Sequence, residues 1–249
     1  MPERAIALLL SGALALAACG GGEARQATDA TRPVIGLSTS LPIVWPESDD
    51  IAGMLQDDAP PHWALSVLRE VGEVRPLDSL AAPGGGLPLP SDAVLVMAQP
   101  WPLSPQENVA LDDWVRGGGR VLLFADPMLT FESRFALGDR RRPQDVAMLS
   151  PILTRWGLEL RFDEDQPEGG RVIVDGALAI PVRLSGTFAV RENPGQCVLG
   201  GEGLVAQCRI GRGQIVAIAD AALLENRAEE EQGLRRAALH KLLDLLTER

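Results

Sequence analysis

The chain has 249 residues, of which 46% are hydrophobic, and its formal net charge is −11 at pH 7. This length and composition allow a sizeable core and are typical of one large α/β domain or two small ones. The acidic balance argues against nucleic acid and anionic lipid headgroups as partners.

The N-terminus has the features of an export signal. An apolar or small-residue run from Ala5 to Ala17 follows Arg4, and it is far shorter than the roughly 20 residues that a membrane-spanning helix needs. The sequence Leu16-Ala17-Ala18-Cys19 resembles the bacterial lipobox, which implies a signal peptide over residues 1–18 and a lipid on the Cys19 thiol. An ordinary secretory signal with an incidental cysteine is the alternative.

Polar and Gly-rich residues follow this cysteine without hydrophobic periodicity. Residues 19–32 are therefore predicted to form a lipidated, flexible tether. As a coil it holds the folded part on the order of 20 Å from the membrane. We expect a periplasmic lipoprotein of the bacterial cell envelope, which contacts the membrane through the lipid on Cys19. The sequence is compatible with a place in the inner or the outer membrane. The residue after the lipidated cysteine is Gly20 and not the Asp that often retains such proteins at the inner membrane.

Residues 33–249 alternate between apolar strands and amphipathic helices, which predicts a single α/β domain. Ser104-Pro105-Gln106-Glu107 has the pattern of a capping box with Pro at the first helical position, so a helix begins there. Gly117-Gly118-Gly119 ends that helix before an apolar strand, and strand, helix and strand at this spacing form a right-handed crossover. Further strands are predicted over residues 34–39, 74–77, 93–98 and 158–162, and helices after Pro60-Pro61 and over residues 145–156.

The pattern changes from residue 171 to alternating segments with tight turns. This change predicts an antiparallel β extension over about residues 171–210. Residues 214–219 return to a buried strand. Residues 229–247 then form a final helix, with four residues facing inward: Leu234, Ala238, Leu242 and Leu245.

Cys197 and Cys208 are the only cysteines after Cys19, and they flank two short apolar segments around a Gly-rich turn. If the turn centres on Glu202-Gly203, the two cysteines lie opposite each other in a hairpin. Export places them where disulfides persist, so we predict a structural disulfide. Two buried thiols or a redox pair are the alternatives, and the spacing is not that of a C-x-x-C motif.

Residues 110–127, with Trp114 before the triple-glycine stop and Asp126-Pro127 after the apolar strand, resemble the auxiliary extracytoplasmic domain of gliding-motility-type ABC transport systems. Residues 38–42, 150–158 and 211–221 are similar to other parts of that family. The resemblance implies a three-layer α/β/α domain with a mostly parallel, flavodoxin-like sheet, related to class I glutamine amidotransferases without their catalytic apparatus. It also implies ABC permease or ATPase subunits as partners.

The residues agree with the absence of an amidotransferase site. Such an enzyme needs Cys or Ser in a tight elbow after a strand, with a partner His. Here Ala125-Asp126-Pro127 follows the best candidate strand, and His62 and His240 are the only histidines. We therefore expect a chain that is not an enzyme and has no cofactor and no metal site.

Ligands of open parallel sheets bind outside the carboxyl ends of the strands. Carboxylates at that edge can bind a cation or serve as acid and base, although Asp after a strand more commonly caps the next turn. Trp45 and Trp101 lie in Pro-flanked loops near the same edge and form either a lid over the sheet or a contact surface. Arg140-Arg141-Arg142 is interpreted as a solvated loop. The candidate ligand or partner edge consists of Ser38, Ser40, Gln99, Asp126 and Asp220.

Three functions are compatible with these features. The first is a non-catalytic, lipid-anchored accessory or binding subunit of an ABC-type transport or envelope-assembly system. The second is a free-standing envelope lipoprotein that binds a small ligand or glycan. The third is a hydrolase built around Asp126 and Asp220, which requires their carboxyl groups to lie within about 5–9 Å.

Overall fold

A computed structural model describes residues 32–48, 60–191, 196–226 and 229–247. The predicted signal peptide, Cys19 and the tether up to residue 31 lie outside the described residues. Among the described ranges, no helix combines the length and apolarity that crossing a bilayer requires.

Seven strands form the central sheet. They are β1 (Val34–Thr39), β2 (Glu73–Pro76), β3 (Val94–Ala98), β4 (Arg120–Phe124), β9 (Gln196–Gly200), β10 (Val205–Ile210) and β11 (Gly213–Ile218). The order β2-β1-β3-β4-β11 is parallel throughout, and β10 and β9 complete the sheet in antiparallel orientation. Five parallel strands in this order are the flavodoxin-like arrangement that was predicted.

Helices cover both faces of this sheet. They are α1 (Trp63–Val71), α2 (Pro105–Arg116), α3 (Ser150–Arg155) and α4 (Glu229–Thr247). The connection from β1 through α1 to β2 and the connection from β3 through α2 to β4 run toward opposite edges. Because such crossovers are right-handed, α1 and α2 lie on opposite faces. α4 packs against α1 and α3 against α2, which completes the predicted three-layer α/β/α fold.

Local sequence explains several of these elements. Every residue of β3 is buried, as a strand covered on both faces requires. At the start of α2, the Ser104 hydroxyl accepts a hydrogen bond from Glu107 N, while the Glu107 carboxylate accepts one from Ser104 N. The capping box predicted from the sequence is therefore confirmed.

The predicted helix over residues 145–156 is wrong in its first half, because α3 begins only at Ser150. Residues 145–147 instead run beside the segment after β4. Leu129 N donates to Asp145 O at 2.9 Å, and Ala147 N donates to Asp126 O at 2.8 Å. These bonds leave Val146 exposed, although the helical pattern had placed it in the core.

The C-terminal half contains the predicted antiparallel strands. β5 (Leu158–Arg161) pairs with β8 (Thr187–Val190), and β6 (Arg171–Asp175) pairs with β7 (Leu178–Val182). α4 buries Ala238 and Leu242 as predicted, whereas Leu234 is 40% exposed. Leu245 is partly buried and packs against the core as predicted. Leu239, Leu243 and Leu246 of α4 are buried as well.

Cys197 on β9 and Cys208 on β10 are direct partners in the ladder and form the predicted disulfide. The turn between the two strands uses left-handed backbone at three consecutive residues, with φ of 56° at Gly201, 59° at Glu202 and 89° at Gly203. Glycine adopts this conformation without steric cost, which explains the Gly-rich turn.

We expect replacement of both Cys197 and Cys208 by Ser to lower the free energy of unfolding by up to about 3 kcal/mol, because the bridge restricts the unfolded chain. Urea denaturation of the variant and of unreduced wild type measures this loss. Two reactive thiols in unreduced, denatured wild type contradict the disulfide.

Candidate functional site

The sheet topology singles out one position at the carboxyl edge. The chain leaves β1 toward β2 on one side and leaves β3 toward β4 on the other, so the strand order reverses between β1 and β3. At such a switch point the loops diverge and open a crevice, and open α/β sheets bind their ligands there.

A cavity of about 220 Å³ lies at this switch point, and we term it the carboxyl-edge pocket. Residues that follow β1, β2 and β3 build its base, and two loops that lie far apart in sequence build its rim. Its lining includes Thr39, Ser40, Trp45, Glu47, Asp78, Trp101, Phe135 and Arg141.

Two indoles flank the pocket. Trp45 is 56% exposed and Trp101 is 43% exposed. A lid packed over the sheet would bury these rings, so the contact-surface alternative describes them better. Exposed aromatic faces beside a cavity offer apolar area that the ring of a ligand can cover.

Gln99 organises the floor beneath the pocket. It is fully buried, and its φ of 45° is uncommon for a residue other than glycine. Its carbonyl oxygen accepts from the Ser40 hydroxyl at 2.5 Å, and its side-chain amide donates to the carbonyl oxygens of Asp126 and Gln144 at 3.0 and 2.9 Å. Gln99 thereby joins three loops of the carboxyl edge, and strained residues held by many bonds are typical of functional sites.

The predicted serines lie at different places. Ser40 lines the pocket, and its hydroxyl also accepts from Gln144 N at 3.0 Å. Ser38 lies on β1 between Leu37 and Thr39, which both line the pocket. Because side chains alternate along a strand, Ser38 points to the other face of the sheet.

Asp126 and Asp220 follow β4 and β11, further along the sheet than the switch point, and neither lines the carboxyl-edge pocket. Both are fully buried. The Asp126 carboxylate accepts from Met128 N at 2.8 Å and from Ala221 N at 3.0 Å. The geometry is therefore that of a cap that joins two loops.

Asp220 is engaged in the same way. Its carboxylate accepts from Ala222 N at 2.6 Å and from Arg183 N at 2.9 Å. Burial raises the pKa of Asp126 to about 7 against the lowering effect of its two N–H donors. Burial also raises the pKa of Asp220 well above its usual range, and the nearby charge of Asp126 adds to that shift.

The histidines lie away from the pocket. His62 precedes α1, where its Nδ1 accepts from Ala64 N at 3.2 Å, and burial lowers its pKa to about 4. His240 on α4 pairs with Glu70 at 3.2 Å. Neither lines the carboxyl-edge pocket.

Sequence reasoning missed the charged side chains of the pocket. The Arg141 guanidinium lies 4.1 Å from the centre of the Phe135 ring and pairs with Asp139 at 2.8 Å. The hydrogen bond from Arg141 lowers the pKa of Asp139 to about 2, so the pair is ionised. The basic run interpreted as a solvated loop therefore places one arginine at the pocket.

Glu47 and Asp78 are the carboxylates of the pocket. Glu47 is held by the Ser133 hydroxyl at 2.5 Å and by Arg134 N at 2.9 Å. Asp78 is exposed and makes no hydrogen bond or ion pair within the described part of the chain. No local motif marks either residue, because the fold brings them together from separate loops.

No protein-family model and no curated protein matches this sequence. Solved structures do match. The exo-β-1,4-mannosidase Op5Man5 from Opitutaceae bacterium strain TAV5 is 15% identical with a TM-score of 0.53, over 89% of this chain and 37% of that one. The cytoplasmic protein STM1381 from Salmonella typhimurium LT2 is 11% identical with a TM-score of 0.51, over 86% and 98%.

A further match is Gan42B, a GH42 β-galactosidase from G. stearothermophilus, at 14% identity and a TM-score of 0.48, over 88% of this chain and 31% of that one. This chain thus spans about a third of the length of the two glycoside hydrolases. The prediction that the chain is not an enzyme is corrected by the match to Op5Man5, because that structure is an enzyme, a mannosidase. At 15% identity this likeness shows the α/β fold.

Proposed function

We propose that this chain is a lipoprotein of the bacterial cell envelope that binds a glycan in the carboxyl-edge pocket. The observation that carries the proposal is the pair of half-exposed indoles, Trp45 and Trp101, beside a cavity at the topological switch point. The apolar face of a sugar ring stacks on an aromatic face, while its hydroxyl groups need a few well-placed polar partners.

The polar groups of the pocket fit such a ligand. The carboxylates of Glu47 and Asp78 accept hydrogen bonds from hydroxyl groups, and the Arg141 guanidinium donates them. The volume of about 220 Å³ equals about seven water molecules at ~30 Å³ each, which is room for one sugar ring. The carboxyl-edge pocket is the location that we propose for the binding of a small ligand or glycan, which the sequence suggested as the second function.

Hydrolysis of the bound glycan is a second candidate function. The observation that favours it is that two carboxylates, Glu47 and Asp78, line one pocket, since glycoside hydrolases place two Asp or Glu residues around the scissile bond.

A role beside an ABC permease or ATPase subunit is a third proposal, which the family resemblance alone supports. Recovery of such subunits with the chain from solubilised membranes tests it.

We expect Trp101→Ala to weaken glycan binding roughly tenfold, because loss of a stacked aromatic contact costs about 1.4 kcal/mol. Isothermal titration calorimetry of the detergent-solubilised full chain with neutral oligosaccharides measures this change. Val146→Ala is the control, because Val146 is 49% exposed and lies outside the pocket. Equal affinities of wild type and Trp101→Ala contradict the proposal.

Hydrolysis is tested in the same samples by measuring the release of reducing sugar. Release by wild type that Glu47→Gln abolishes identifies hydrolysis.

A further inference from the structure

A second cavity adjoins the carboxyl-edge pocket. It has a volume of about 960 Å³ and lies between the loop that follows β2 and the first turns of α2, and we term it the α2 cleft. Asp78 lines both cavities. Asp78 is thus the residue that the pocket and the cleft share.

Hydrogen bonds hold the two walls of the cleft at a fixed separation. Glu107 on α2 accepts from the Ser79 hydroxyl at 2.9 Å and from Leu80 N at 3.0 Å, both on the opposite wall. The same carboxylate accepts from Ser104 N at 2.9 Å in the capping box. One side chain thus ties the loop to the helix, so the cleft exists before a ligand arrives.

The charge of the cleft restricts the chemistry of its occupant. Asp78, Glu107 and Asp113 line it, and no Lys, Arg or His stands among its lining residues, all of which the structure describes. The N-terminus of α2 is occupied by its own capping residues. Like charges repel at short range, so an anionic ligand is disfavoured and a neutral or amine-bearing ligand is favoured.

The combined size points to a ligand longer than one ring. The carboxyl-edge pocket, at about 220 Å³, is smaller than the roughly 300–1,000 Å³ that is usual for ligand sites, and the cleft extends it in one direction. We propose that the two cavities form one elongated site for a linear oligosaccharide with neutral or amine-bearing units. This inference rests on the proposed glycan binding. One ring stacks beside Trp101, the next units lie in the cleft, and Asp78 contacts the chain between them.

A length series tests the elongated site. Calorimetry of the full chain uses linear β-1,4-linked glucosamine oligomers from monomer to hexamer, in N-acetylated and free-amine form, and uronate oligomers of the same lengths. We expect affinity to rise at least tenfold from monomer to trimer in both glucosamine series. We expect no rise with length in the uronate series. An affinity independent of length in all series overturns the elongated site.

Val109→Trp tests the cleft itself. Val109 is 53% exposed on α2 and lines the cleft, so a larger side chain fills the cleft without entering the core. We expect this variant to bind the monomer like wild type and the hexamer about tenfold more weakly. Val146→Trp is the matched control, because Val146 is 49% exposed and lines neither cavity. Unchanged hexamer binding by Val109→Trp contradicts the inference.

Asp78→Asn tests the residue that the two cavities share. Wild type is expected to bind free-amine oligomers more tightly than N-acetylated ones, because three carboxylates line the cleft. Asp78→Asn is expected to reduce this preference, and a preference that the substitution leaves unchanged contradicts the role of Asp78. Failure of wild type to bind any sugar, monomer included, refutes the proposed glycan binding. Monomer binding without length dependence refutes the elongated site alone.

Discussion

Asp112→Ala is expected to lower the free energy of unfolding by about 3 kcal/mol, because the substitution removes a buried carboxylate that accepts three hydrogen bonds, and a hydrogen bond to a charged group contributes roughly 1.5–3 kcal/mol. Asp112 lies on α2 and its side chain is fully buried. Its carboxylate accepts from Arg116 Nε at 2.9 Å, from Arg155 Nε at 2.6 Å and from Trp156 Nε1 at 3.2 Å.

The loss has two physical sources. Burial disfavours the charge of Asp112, but the hydrogen bonds and charges of Arg116 and Arg155 outweigh it and hold its pKa below the usual range. Without the carboxylate, the buried Trp156 N–H loses its acceptor, which alone costs about 1–3 kcal/mol. The two guanidinium groups are partly exposed and stay hydrated, so their unpairing adds little to the loss.

Urea denaturation at neutral pH measures this effect. Glu159→Ala is the control, because Glu159 pairs with Arg161 and Arg191 at an exposed position, where ion pairs contribute at most about 1 kcal/mol. Asp112→Asn keeps an acceptor for the indole and is expected to lie between the two. A loss below about 1 kcal/mol for Asp112→Ala refutes the structural role.

The contribution of Asp126 to stability is expected to fall as pH rises from about 4 to about 7. In the unfolded chain an Asp loses its proton near pH 3.9, whereas burial raises the pKa of Asp126 to about 7 in the fold. Between these values unfolding releases a proton, so the stabilisation is complete below pH 4 and is lost as pH rises through 7.

Asp126→Asn isolates this contribution, because it removes the titrating group and keeps one acceptor oxygen. We expect the free energy of unfolding of the variant, minus that of wild type, to increase as pH rises from 4 to 7. Chemical denaturation across that range provides the comparison. Parallel pH profiles for the two proteins contradict a buried, protonated Asp126.

Several elements were predictable because their signals are local. The capping box at Ser104 and Glu107 and the apolar run of β3 specify their structure within a few residues. Cys197 and Cys208 were predictable as partners because a short Gly-rich turn sets their register. The helix over residues 145–156 was predicted wrongly for the converse reason. Its apolar spacing was helical, but backbone hydrogen bonds to the segment of residues 126–129, which no local pattern shows, hold residues 145–147 outside a helix.

The sequence by itself determined the α/β class, the parallel crossover and the disulfide, since strand and helix periodicity and turn chemistry act over short distances. Only the tertiary structure decided where the site lies. The carboxyl edge was predictable, but the switch point depends on β2 lying beside β1 and β4 beside β3, and that choice moves the pocket away from Asp126 and Asp220. Trp101, Glu47 and Asp78 come from three loops that meet only because the strands between them are ordered in one sheet.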